Sequence, residues 1–559
     1  MKLGSKDNEL VFLPLGGVGE IGMNVYLYGF GPPRRRQWLM VDLGVTFPDD
    51  REPGVDIVLP DLRFIEKERG NLLGIVLTHA HEDHFGAVPE MWPRLAVPVY
   101  ATRFPIAMLK EKLSETPWRN EVPLHEVPLG GRLTIGPFDI EFVNMAHSIP
   151  ETSALAIRTE LGTVLHSADW KIDPHPGVGA PTDEAKLRRL GDEGVDVLVS
   201  DSTNVLSDGF TASEKDVAIS LGQIVKRARG RVAVTSFASS VARLLAVANA
   251  AEAADRHLVL VGRSMHRIVD LARETGLWPA RVKTLGEEDY GHLPPETVVA
   301  LLTGSQGEPR AALARIADDQ HPQATLTRGD LVIFSARTIP GNEHAVIRIQ
   351  NKLADRGVEV ITEWAQGPIH ASGHPRQGEI AALYEWLRPK IVIPMHGEPR
   401  HLEAQVNFAR AKGIGALSAV RNGTMVRLLP GAAEIIDSAP VGRIYRDGDL
   451  LIPGDEDCIR ERRKLSFVGS VVVSLAITKA GELAADPQVV LTGIPKFDAD
   501  GESFEHIAEK AAIGAMISIP RPRRKSPGLV SEAVRKSVRA AINEAWGKKP
   551  ICNVLVSVV

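Results

Sequence analysis

The stretch THAHEDHFG, residues 78–86, decides how the rest of this sequence is interpreted. The apolar run immediately before it predicts a strand, so the polar cluster begins where that strand ends. Imidazole nitrogens and carboxylate oxygens are the ligands of Zn²⁺ and Mn²⁺ at catalytic sites. Residues two apart in an extended segment point the same way, so His79 and His81 can bind one metal ion. Asp83 and His84 follow once the chain has turned, and we expect them to face a second ion.

Two metal ions need more ligands than this short segment supplies, and three other predicted strand ends offer them. His147 closes the run FDIEFVNMAH, Asp169 closes GTVLHSAD and His396 closes KIVIPMH. Any one of them alone would be interpreted as an ordinary surface residue. Together they complete two sites, with His147 for the first ion, His396 for the second and Asp169 as a bridging carboxylate.

The composition excludes several classes of protein. The 559 residues, 44% hydrophobic and 24% charged, are typical of a globular chain with three or more domains, not of a disordered chain or a coiled-coil rod. No apolar run is long enough for a transmembrane helix, so we expect no membrane association, and MKLGSKDNEL lacks the apolar core of a secretory signal. The only cysteines, Cys458 and Cys552, exclude a disulfide scaffold and a Cys-rich zinc finger, and we expect a reducing, cytoplasmic compartment.

The charge is unevenly distributed along the chain. The net charge of −5 does not indicate a nucleic-acid-binding protein. From Arg460 to the end, however, Lys and Arg outnumber Asp and Glu, with basic clusters at 460–464 and 521–525. These clusters are either a solvated face or contacts to phosphates.

The order of predicted strands and helices divides the chain. Residues 1–207 alternate short strands with turns, and 208–365 alternate strands with helices, which predicts an inserted α/β domain with a mostly parallel sheet. Residues 366–442 return to the first pattern, so the first domain resumes there. We expect a linker over 443–465 and a small α+β domain over 466–559.

The ligand constellation resembles the metallo-β-lactamase superfamily. The segment from LGGVGEIGMN to VDLG, residues 15–44, fits this resemblance too. The resemblance implies an αββα sandwich with a dinuclear metal site at one edge of the sheets. It also implies that Asp42 orients a ligand instead of binding metal.

Further motifs resemble the β-CASP branch of that superfamily, which acts on nucleic acids. DSTN (201–204), HASGH (370–374) and MHGEP (395–399) place Asp201, His374 and His396 at its motif positions. Within this branch the chain is identified as a member of the bacterial ribonuclease J family, by the small C-terminal domain and by the segments AHSIPET (146–152), SADWKID (167–173), TGSQGEP (303–309) and SARTIPGNE (335–343).

The resemblance to ribonuclease J implies hydrolysis of RNA in RNA maturation, including that of rRNA, and in RNA decay. It implies a 5′→3′ exonuclease that prefers a 5′-monophosphate, with endonuclease activity as well. Two divalent ions, Zn²⁺ first with Mn²⁺ or Mg²⁺ as alternatives, would hold a hydroxide and the scissile phosphate. We expect catalysis to involve Asp83 and the pair His374 and Asp201, with His374 as the proton donor; a structural role for His374 is the alternative.

A 5′-phosphate pocket needs backbone and hydroxyl donors, and two segments can supply them. The segment FASS, residues 237–240, follows a predicted strand at the start of a predicted helix, where the helix dipole favours an anion. An ordinary helix N-cap explains its serines equally well. The other lies in HASGH and could form a nest of backbone donors. The resemblance assigns both segments to substrate phosphate: Ala238, Ser239 and Ser240, and His370, Ala371, Ser372 and Gly373.

Other expectations concern ions and partners. The loop FPDDREPGVD, residues 47–56, could hold a structural Ca²⁺ or could be a solvated acidic loop. The resemblance implies single-stranded RNA as substrate, a homodimer or homotetramer built through the C-terminal domain, and other RNA-decay proteins as partners.

Two further functions compete with this interpretation. One is a metal hydrolase with another substrate: a β-CASP endonuclease for RNA 3′-end processing, or a small-molecule lactamase or thioesterase, which needs neither the insert nor HASGH. The other is a non-enzymatic RNA-binding scaffold, which would be expected to have substituted ligands. All seven expected ligands are present in this sequence.

Overall fold

The computed structural model describes residues 7–559. Residues 1–6, part of the segment in which no secretory signal is expected, lie outside the described residues. The chain forms two compact units. One contains the residues up to Thr46 and Val58–Ile444, and the other contains Phe47–Ile57 and Tyr445–Val559.

Two mixed β-sheets form the centre of the larger unit. Their strands are short apolar runs; every residue of Val25–Gly31, for example, is buried. The eight-stranded sheet has the order Glu434–Ser438, Thr424–Leu429, Glu9–Gly16, Val25–Gly31, Gln37–Val41, Leu72–Val76, Val99–Ala101, Leu124–Glu126. The seven-stranded sheet has the order Gly415–Ala416, Ile391–Met395, Val197–Asp201, Gly162–His166, Ser153–Thr159, Phe138–Asn144, Arg132–Ile135.

The two sheets pack face to face, and helices cover their outer faces. The core between them is apolar and aromatic, with Phe12 and Tyr28 of one sheet clustered with Phe142 and Leu155 of the other. A second cluster joins the outer face of the seven-stranded sheet to its helices. The predicted αββα sandwich is therefore confirmed. Its helices are Arg63–Lys67, Glu82–Phe85, Val88–Leu95, Arg103–Leu113, Glu184–Glu193, Gln377–Leu387 and Pro399–Ala411, with a 3₁₀ turn at Arg69–Asn71.

The inserted α/β domain also has the predicted parallel sheet. Its strand order is His257–Val261, Val298–Leu302, Val232–Thr235, Leu331–Phe334, Glu359–Ile361. Strands buried on both faces are apolar throughout, which is the pattern that parallel sheets require. Its helices are Glu214–Arg227, Val241–Ala253, Arg263–Glu274, Ala312–Ala317 and Glu343–Asp355, with a 3₁₀ turn at Pro295–Thr297.

Several strands were not anticipated from the sequence. Ser153–Thr159 pairs with strands on both sides in the seven-stranded sheet. It follows directly on the motif AHSIPET and has no turn signal of its own before it, so the local pattern does not separate it. Other strands absent from the sequence prediction are Thr424–Leu429 and the shorter Leu124–Glu126, Arg132–Ile135, Ile57–Pro60, Glu359–Ile361 and Gly415–Ala416.

The smaller unit contains a three-stranded sheet in the order Gln488–Thr492, Ser470–Ile477, Ile551–Val558. Its helices are Asp457–Val468, Phe504–Ser518 and Pro527–Trp546, with a 3₁₀ turn at Arg521–Lys525. The helix at 504–518 is absent from the sequence prediction, because its mixture of Ala, Gly and Ile gives a weak periodicity. The final strand is an edge strand, and Leu555 on its outer face is 59% exposed.

The predicted linker, residues 443–465, is not a plain connector. It carries the strands Arg443–Asp447 and Leu450–Pro453 and the first turns of the helix that begins at Asp457.

The acidic loop 47–56 has partners of its own. Arg51 binds both carboxylate oxygens of Asp49, and the Asp56 carboxylate accepts a hydrogen bond from the backbone N–H of Gly448. Among residues 7–559 the loop contributes no cluster of three His, Cys or acidic side chains placed to share an ion. The structure therefore gives no support to the Ca²⁺ expectation. Within the same residues, no helix is both long enough and apolar enough to cross a bilayer.

Candidate metal centre

The expected ligands converge because they follow strands that end at one edge of the sandwich. His79 and His81 follow Leu72–Val76, and a short helix then begins at Glu82 and turns His84 inward. His396 directly follows Ile391–Met395, and Asp169 lies three residues beyond Gly162–His166. Ends of neighbouring strands meet at a sheet edge, which brings together residues more than 300 positions apart.

Asp169 lies at the centre of the cluster. Its Oδ2 is 3.8 Å from His79 Nε2, 3.7 Å from His147 Nε2 and 3.3 Å from His84 Nε2. Its Oδ1 is 3.7 Å from His396 Nδ1. This Oδ1 atom is buried and has no hydrogen-bond partner in the structure. An unsatisfied buried carboxylate oxygen is costly unless a cation reaches it, so the residue fits a bridging metal ligand.

The side chains form overlapping sets of four whose ligand atoms all lie within 4.8 Å of one another. In the first set, His81 Nδ1 is 3.2 Å from His79 Nε2 and 3.0 Å from His147 Nε2. Three imidazoles and a carboxylate at such spacing are the donors that Zn²⁺ and Mn²⁺ accept. The sets are His79, His81, His147 and Asp169; Asp83, His84, Asp169 and His396; and Asp169, Asp201, His374 and His396.

Asp42 orients two of these imidazoles. Its Oδ2 accepts a 2.7 Å hydrogen bond from His84 Nδ1 and a 2.8 Å bond from the Thr78 hydroxyl, whose oxygen lies 3.0 Å from His79 Nδ1. A proton held on Nδ1 leaves the Nε2 lone pair of each ring directed at the cluster. Asp42 itself is fully buried and belongs to none of the four-residue sets.

Two other imidazoles are oriented by segments from elsewhere in the chain. His147 Nδ1 donates a 2.6 Å hydrogen bond to the carbonyl of Gly373. A Cβ atom on Gly373 would lie 2.6 Å from that same nitrogen, so only glycine allows this approach. His396 Nδ1 lies 2.7 Å from the Thr203 hydroxyl, which leaves Nε2 at 3.1 Å from Asp83 Oδ2.

The electrostatics of the site suit cations. Burial lowers the pKa values of His79 and His147 and brings that of His81 to about 4, so all three rings are neutral. Burial opposes protonation of His396 as well, but the carboxylates around it, Asp169 first, raise its pKa to about 10. The raised pKa of His396 shows that the carboxylates give this part of the cluster an excess of negative charge. Two bound divalent cations would compensate that charge.

The backbone is strained around the site. Three non-glycine residues adopt left-handed φ values: Asp42 at 62°, Ala168 at 53° and His396 at 49°. Such conformations cost energy and persist where the surrounding structure imposes them, commonly at functional sites. Here each strained residue is an expected ligand, the neighbour of one, or the carboxylate that orients one.

His374 and Asp201 form a pair at the exposed side of the cluster. His374 Nδ1 donates a 2.8 Å hydrogen bond to Asp201 Oδ2, and the His374 side chain is 22% exposed. Burial disfavours the charged ring, but Asp201 and Asp169 outweigh it and raise the pKa of His374. The His374 ring is nearly parallel to that of His396, with centroids 5.3 Å apart.

The HASGH segment is held by the residues that follow Asp201. The Asn204 side-chain amide donates to the Ser372 hydroxyl at 2.8 Å and to the His374 carbonyl at 3.1 Å. Within the segment, Ala371 is buried. His370 is mostly buried, its Nδ1 has no hydrogen-bond partner, and burial and then the charge of Arg243 lower its pKa to about 3.

The other segment expected at a phosphate, Ala238 to Ser240, precedes the helix Val241–Ala253. Ser240 is the N-cap residue, yet its side chain makes no capping hydrogen bond. The alternative that this serine only caps the helix therefore finds no support. Ala238 and Ser239 are partly exposed, so their donors are accessible.

Sequence reasoning missed the residues that hold the ligands in place. Thr78, Thr203 and Asn204 lie inside quoted motifs, but only their acidic and histidine neighbours were assigned roles. Asn24 donates to Asp83 Oδ2 at 3.2 Å and accepts a 2.6 Å bond from the Tyr26 hydroxyl. The available signal was position, because each of these polar residues lies within three residues of a strand end or an expected ligand.

Comparison with known families agrees with this architecture over most of the chain. Residues 18–221 match the metallo-beta-lactamase superfamily, and residues 229–353 match the family described as ribonuclease J, beta-CASP domain. Residues 368–417 match the Zn-dependent metallo-hydrolase RNA specificity domain, and residues 457–559 match the ribonuclease J C-terminal domain.

Curated relatives match along nearly the full length. Ribonuclease J of Sinorhizobium meliloti is 50% identical over 99% of this chain and 98% of its own length. Ribonuclease J of Thermus thermophilus is 34% identical over 98% of this chain and 95% of its own. A solved structure of a protein of unknown function from Enterococcus faecalis V583 aligns with a TM-score of 0.51 and 15% identity, over 75% of this chain and 99% of its own, and shows likeness of fold alone. The chain thus belongs to the ribonuclease J family.

Proposed function

We propose that this protein is a metal-dependent ribonuclease that degrades and matures RNA, including rRNA, from the 5′ end. It prefers a 5′-monophosphate and also cuts internally. The observation that carries the proposal is the pair of His/Asp clusters sharing Asp169, with His374 and Asp201 beside them. Membership of the ribonuclease J family supports RNA as the substrate.

The metal ligands in this proposal are the seven residues of the two clusters. His79, His81, His147 and Asp169 would hold one ion, and Asp83, His84, His396 and Asp169 the other. We propose Zn²⁺, with Mn²⁺ or Mg²⁺ as alternatives, because the set is rich in imidazole. Two bound ions would supply an activated water at neutral pH and neutralise charge on the scissile phosphate.

His374 is our proposed proton donor to the leaving 3′-oxygen. The hydrogen bond from Nδ1 to Asp201 fixes the orientation of the ring and leaves Nε2 free to face the substrate. Asp201 also stabilises the protonated ring, so a proton is available to the departing oxygen. Asp83, 30% exposed and 3.1 Å from His396, contributes negative charge at the same place.

The 5′-phosphate would bind between the segments 238–240 and 370–373. Their backbone N–H groups and serine hydroxyls are suitable donors for an anion, and the helix that begins at Val241 adds its dipole. A cavity of about 80 Å³ lined by His147, Ser148 and Ala242 lies beside this helix, but residues 238–240 and 370–373 do not line it. A triphosphate would exceed a pocket built for one phosphate, which accounts for the preference.

We also propose that the protein works in the reducing cytoplasm as a homodimer or homotetramer. Both cysteines are free, as such a compartment favours. The smaller unit exposes Val490 and Leu555 on its three-stranded sheet, at 61% and 59%. Apolar side chains at one uncovered sheet face suit association with another copy.

The test is hydrolysis of 3′-labelled single-stranded RNA that carries a 5′-monophosphate, a 5′-triphosphate or a 5′-hydroxyl. Rapid shortening of the monophosphate RNA, abolished by a chelator and by His81→Ala, is the expected result. Internal cuts that ignore the 5′ end would contradict the phosphate pocket and favour a pure endonuclease. No cleavage with Zn²⁺, Mn²⁺ or Mg²⁺ would refute the proposal and leave an RNA-binding scaffold.

A further inference from the structure

Four charged side chains outside the metal centre are almost completely buried. Lys171, Asp173, Glu214 and Arg243 are each 3% exposed or less. Lys171 Nζ lies 2.9 Å from the Asp173 carboxylate and 3.8 Å from that of Glu214. Arg243 donates two hydrogen bonds to the Glu214 carboxylate, from Nε at 3.1 Å and from Nη2 at 3.0 Å. The two bases and two acids balance, so no net charge is buried.

This network joins segments that are distant in sequence. Lys171 and Asp173 follow the bridging ligand Asp169 by two and four residues. Glu214 begins the first helix of the inserted domain, where its backbone N–H donates to Asp173 at 2.9 Å. Arg243 lies in the first turn of the helix that starts after Ser240.

The remaining guanidinium nitrogen of Arg243 reaches the second phosphate segment. Arg243 Nη1 donates to the carbonyl and the hydroxyl of Ser335, both at 2.8 Å, and to the carbonyl of Ile369 at 3.3 Å. The Ser335 hydroxyl also donates to the Ile369 carbonyl, at 2.6 Å. Ile369 directly precedes His370, so one buried arginine connects residues 238–240 to residues 370–373 from the protein interior.

A buried ion network of this kind is poorly explained by stability. Desolvation of the charges offsets their attraction, and well-packed apolar side chains would stabilise the same volume equally well. Arginine does provide a planar fork that fixes the direction of several acceptors at once. The geometry here uses that property, since the fork holds Glu214, Ser335 and Ile369 in one fixed arrangement.

We propose that Arg243 is a positioning residue for 5′-phosphate recognition, and that with Ser335 it fixes the spacing between the segments 238–240 and 370–373. Arg243 does not touch the RNA; the network through Glu214 and Lys171 ties that spacing to the strand end that carries Asp169. The inference rests on the proposed function, because it assumes that the two segments bind the terminal phosphate.

The test compares Arg243→Lys with the wild-type protein on RNA bearing a 5′-monophosphate or a 5′-hydroxyl. Lysine keeps the charge beside Glu214 but cannot form the fork, so we expect KM for the monophosphate RNA to rise about tenfold, the equivalent of one charged hydrogen bond. We expect kcat, and both parameters on 5′-hydroxyl RNA, to stay unchanged. Arg267→Lys is the matched control, because Arg267 joins the inserted domain to Glu111 and Glu115 away from both segments.

A second variant and a second measurement separate positioning from folding. Ser335→Ala keeps every charge and should raise KM in the same direction by a smaller factor, so it carries the test if Arg243→Lys lowers the unfolding temperature strongly. Hydrogen–deuterium exchange of Arg243→Lys should be faster at 238–241 and 369–372 and unchanged at 79–84 and at His374. An equal loss on both RNAs, or unchanged KM in both variants, would overturn the inference.

The 5′-end preference of the wild-type protein separates a failure of the proposed phosphate pocket from a failure of the role proposed for Arg243. If the wild-type protein shortens RNA without regard to its 5′ end, the phosphate pocket is wrong and the inference falls with it. If the wild-type protein prefers the monophosphate and Arg243→Lys retains that preference in full, the pocket stands and only the role of Arg243 is overturned.

Discussion

At the residue scale, the site depends on side chains that never reach the substrate. Asp42 holds His84 directly and His79 through Thr78, and each of these bonds sets which nitrogen faces the cluster. Such partners commonly matter to metal affinity almost as much as the ligands do.

Asp42→Ala should lower the affinity for the bound divalent ions by about 10- to 100-fold, because His84 and His79 lose their orienting partner. The measurement is metal content after dialysis against Zn²⁺ of defined free concentration. Asp192→Ala, at an aspartate whose side chain is 75% exposed, is the control and should retain its metal. Unchanged metal content in the Asp42 variant would show that the rings need no such partner.

Gly373→Ala should lower kcat by about 100-fold, since the new Cβ would displace His147 and a shift of about 1 Å is enough for such a loss. The added atom would lie 2.5 Å from His147 Cε1 and 2.9 Å from the Ser148 hydroxyl. Kinetics on RNA and metal content check the prediction. Gly222→Ala, at a helical glycine where a Cβ meets no atom within 4 Å, is the control and should keep full activity. Near-normal turnover of Gly373→Ala would mean that His147 can move aside without cost.

At the element scale, the strand Ser153–Thr159 stabilises the sandwich although its pattern in the sequence is inconspicuous. It pairs with strands on both sides, and five of its seven residues are buried. Leu155 lies in the core between the sheets and is fully buried. The stability of the site edge therefore depends on a strand with no ligand in it.

Leu155→Ala should destabilise the larger unit by about 2–5 kcal/mol, the usual cost of removing a fully buried leucine side chain. Thermal unfolding followed by calorimetry measures the effect. Leu206→Ala, at a leucine in the same unit that is 52% exposed, should change the unfolding temperature little. Equal shifts in the two variants would contradict the assignment of Leu155 to the core.

At the scale of the whole molecule, bound ions should stabilise the larger unit, because ligands that bind only the native state shift unfolding by mass action. We expect a chelator to lower its unfolding temperature and added Zn²⁺ or Mn²⁺ to restore it, while the smaller unit is unaffected. The transition of each unit can be followed by calorimetry. An identical scan with and without chelator would argue against metal binding by these clusters.

Association of copies is the second prediction at this scale. Leu555→Asp places a charge on the exposed face of the last strand. If that face joins two copies, the mass of the assembly in solution should fall. Light scattering after size exclusion measures the mass. The control is Leu206→Asp, a matched change at an exposed leucine of the other unit, which should leave the mass unchanged. An unchanged mass in the Leu555 variant would exclude this face as the contact.

The αββα class and the family could be predicted from the amino-acid sequence alone. Both are implied by the resemblance of motifs such as THAHEDHFG, DSTN and HASGH to known families, whereas strand periodicity and polar residues directly after apolar runs predict the cluster of ligands. Local signals failed for Ser153–Thr159 and for the helix Phe504–Ser518, where turn cues or periodicity are weak. They also gave the Ca²⁺ expectation at 47–56, where Arg51 and the backbone already bind the carboxylates.

How the expected ligands are held could be seen only in the folded chain. The contacts of Asp42 with His84, of Gly373 with His147, and of Arg243 with Ile369 join residues between 42 and 226 positions apart. No local periodicity encodes which side chains meet across two packed sheets and an inserted domain. That depends on sheet order, strand register and the space available at one atom, such as the absent Cβ of Gly373. The chemistry could be named from residue types, but its geometry exists only once the strand ends meet.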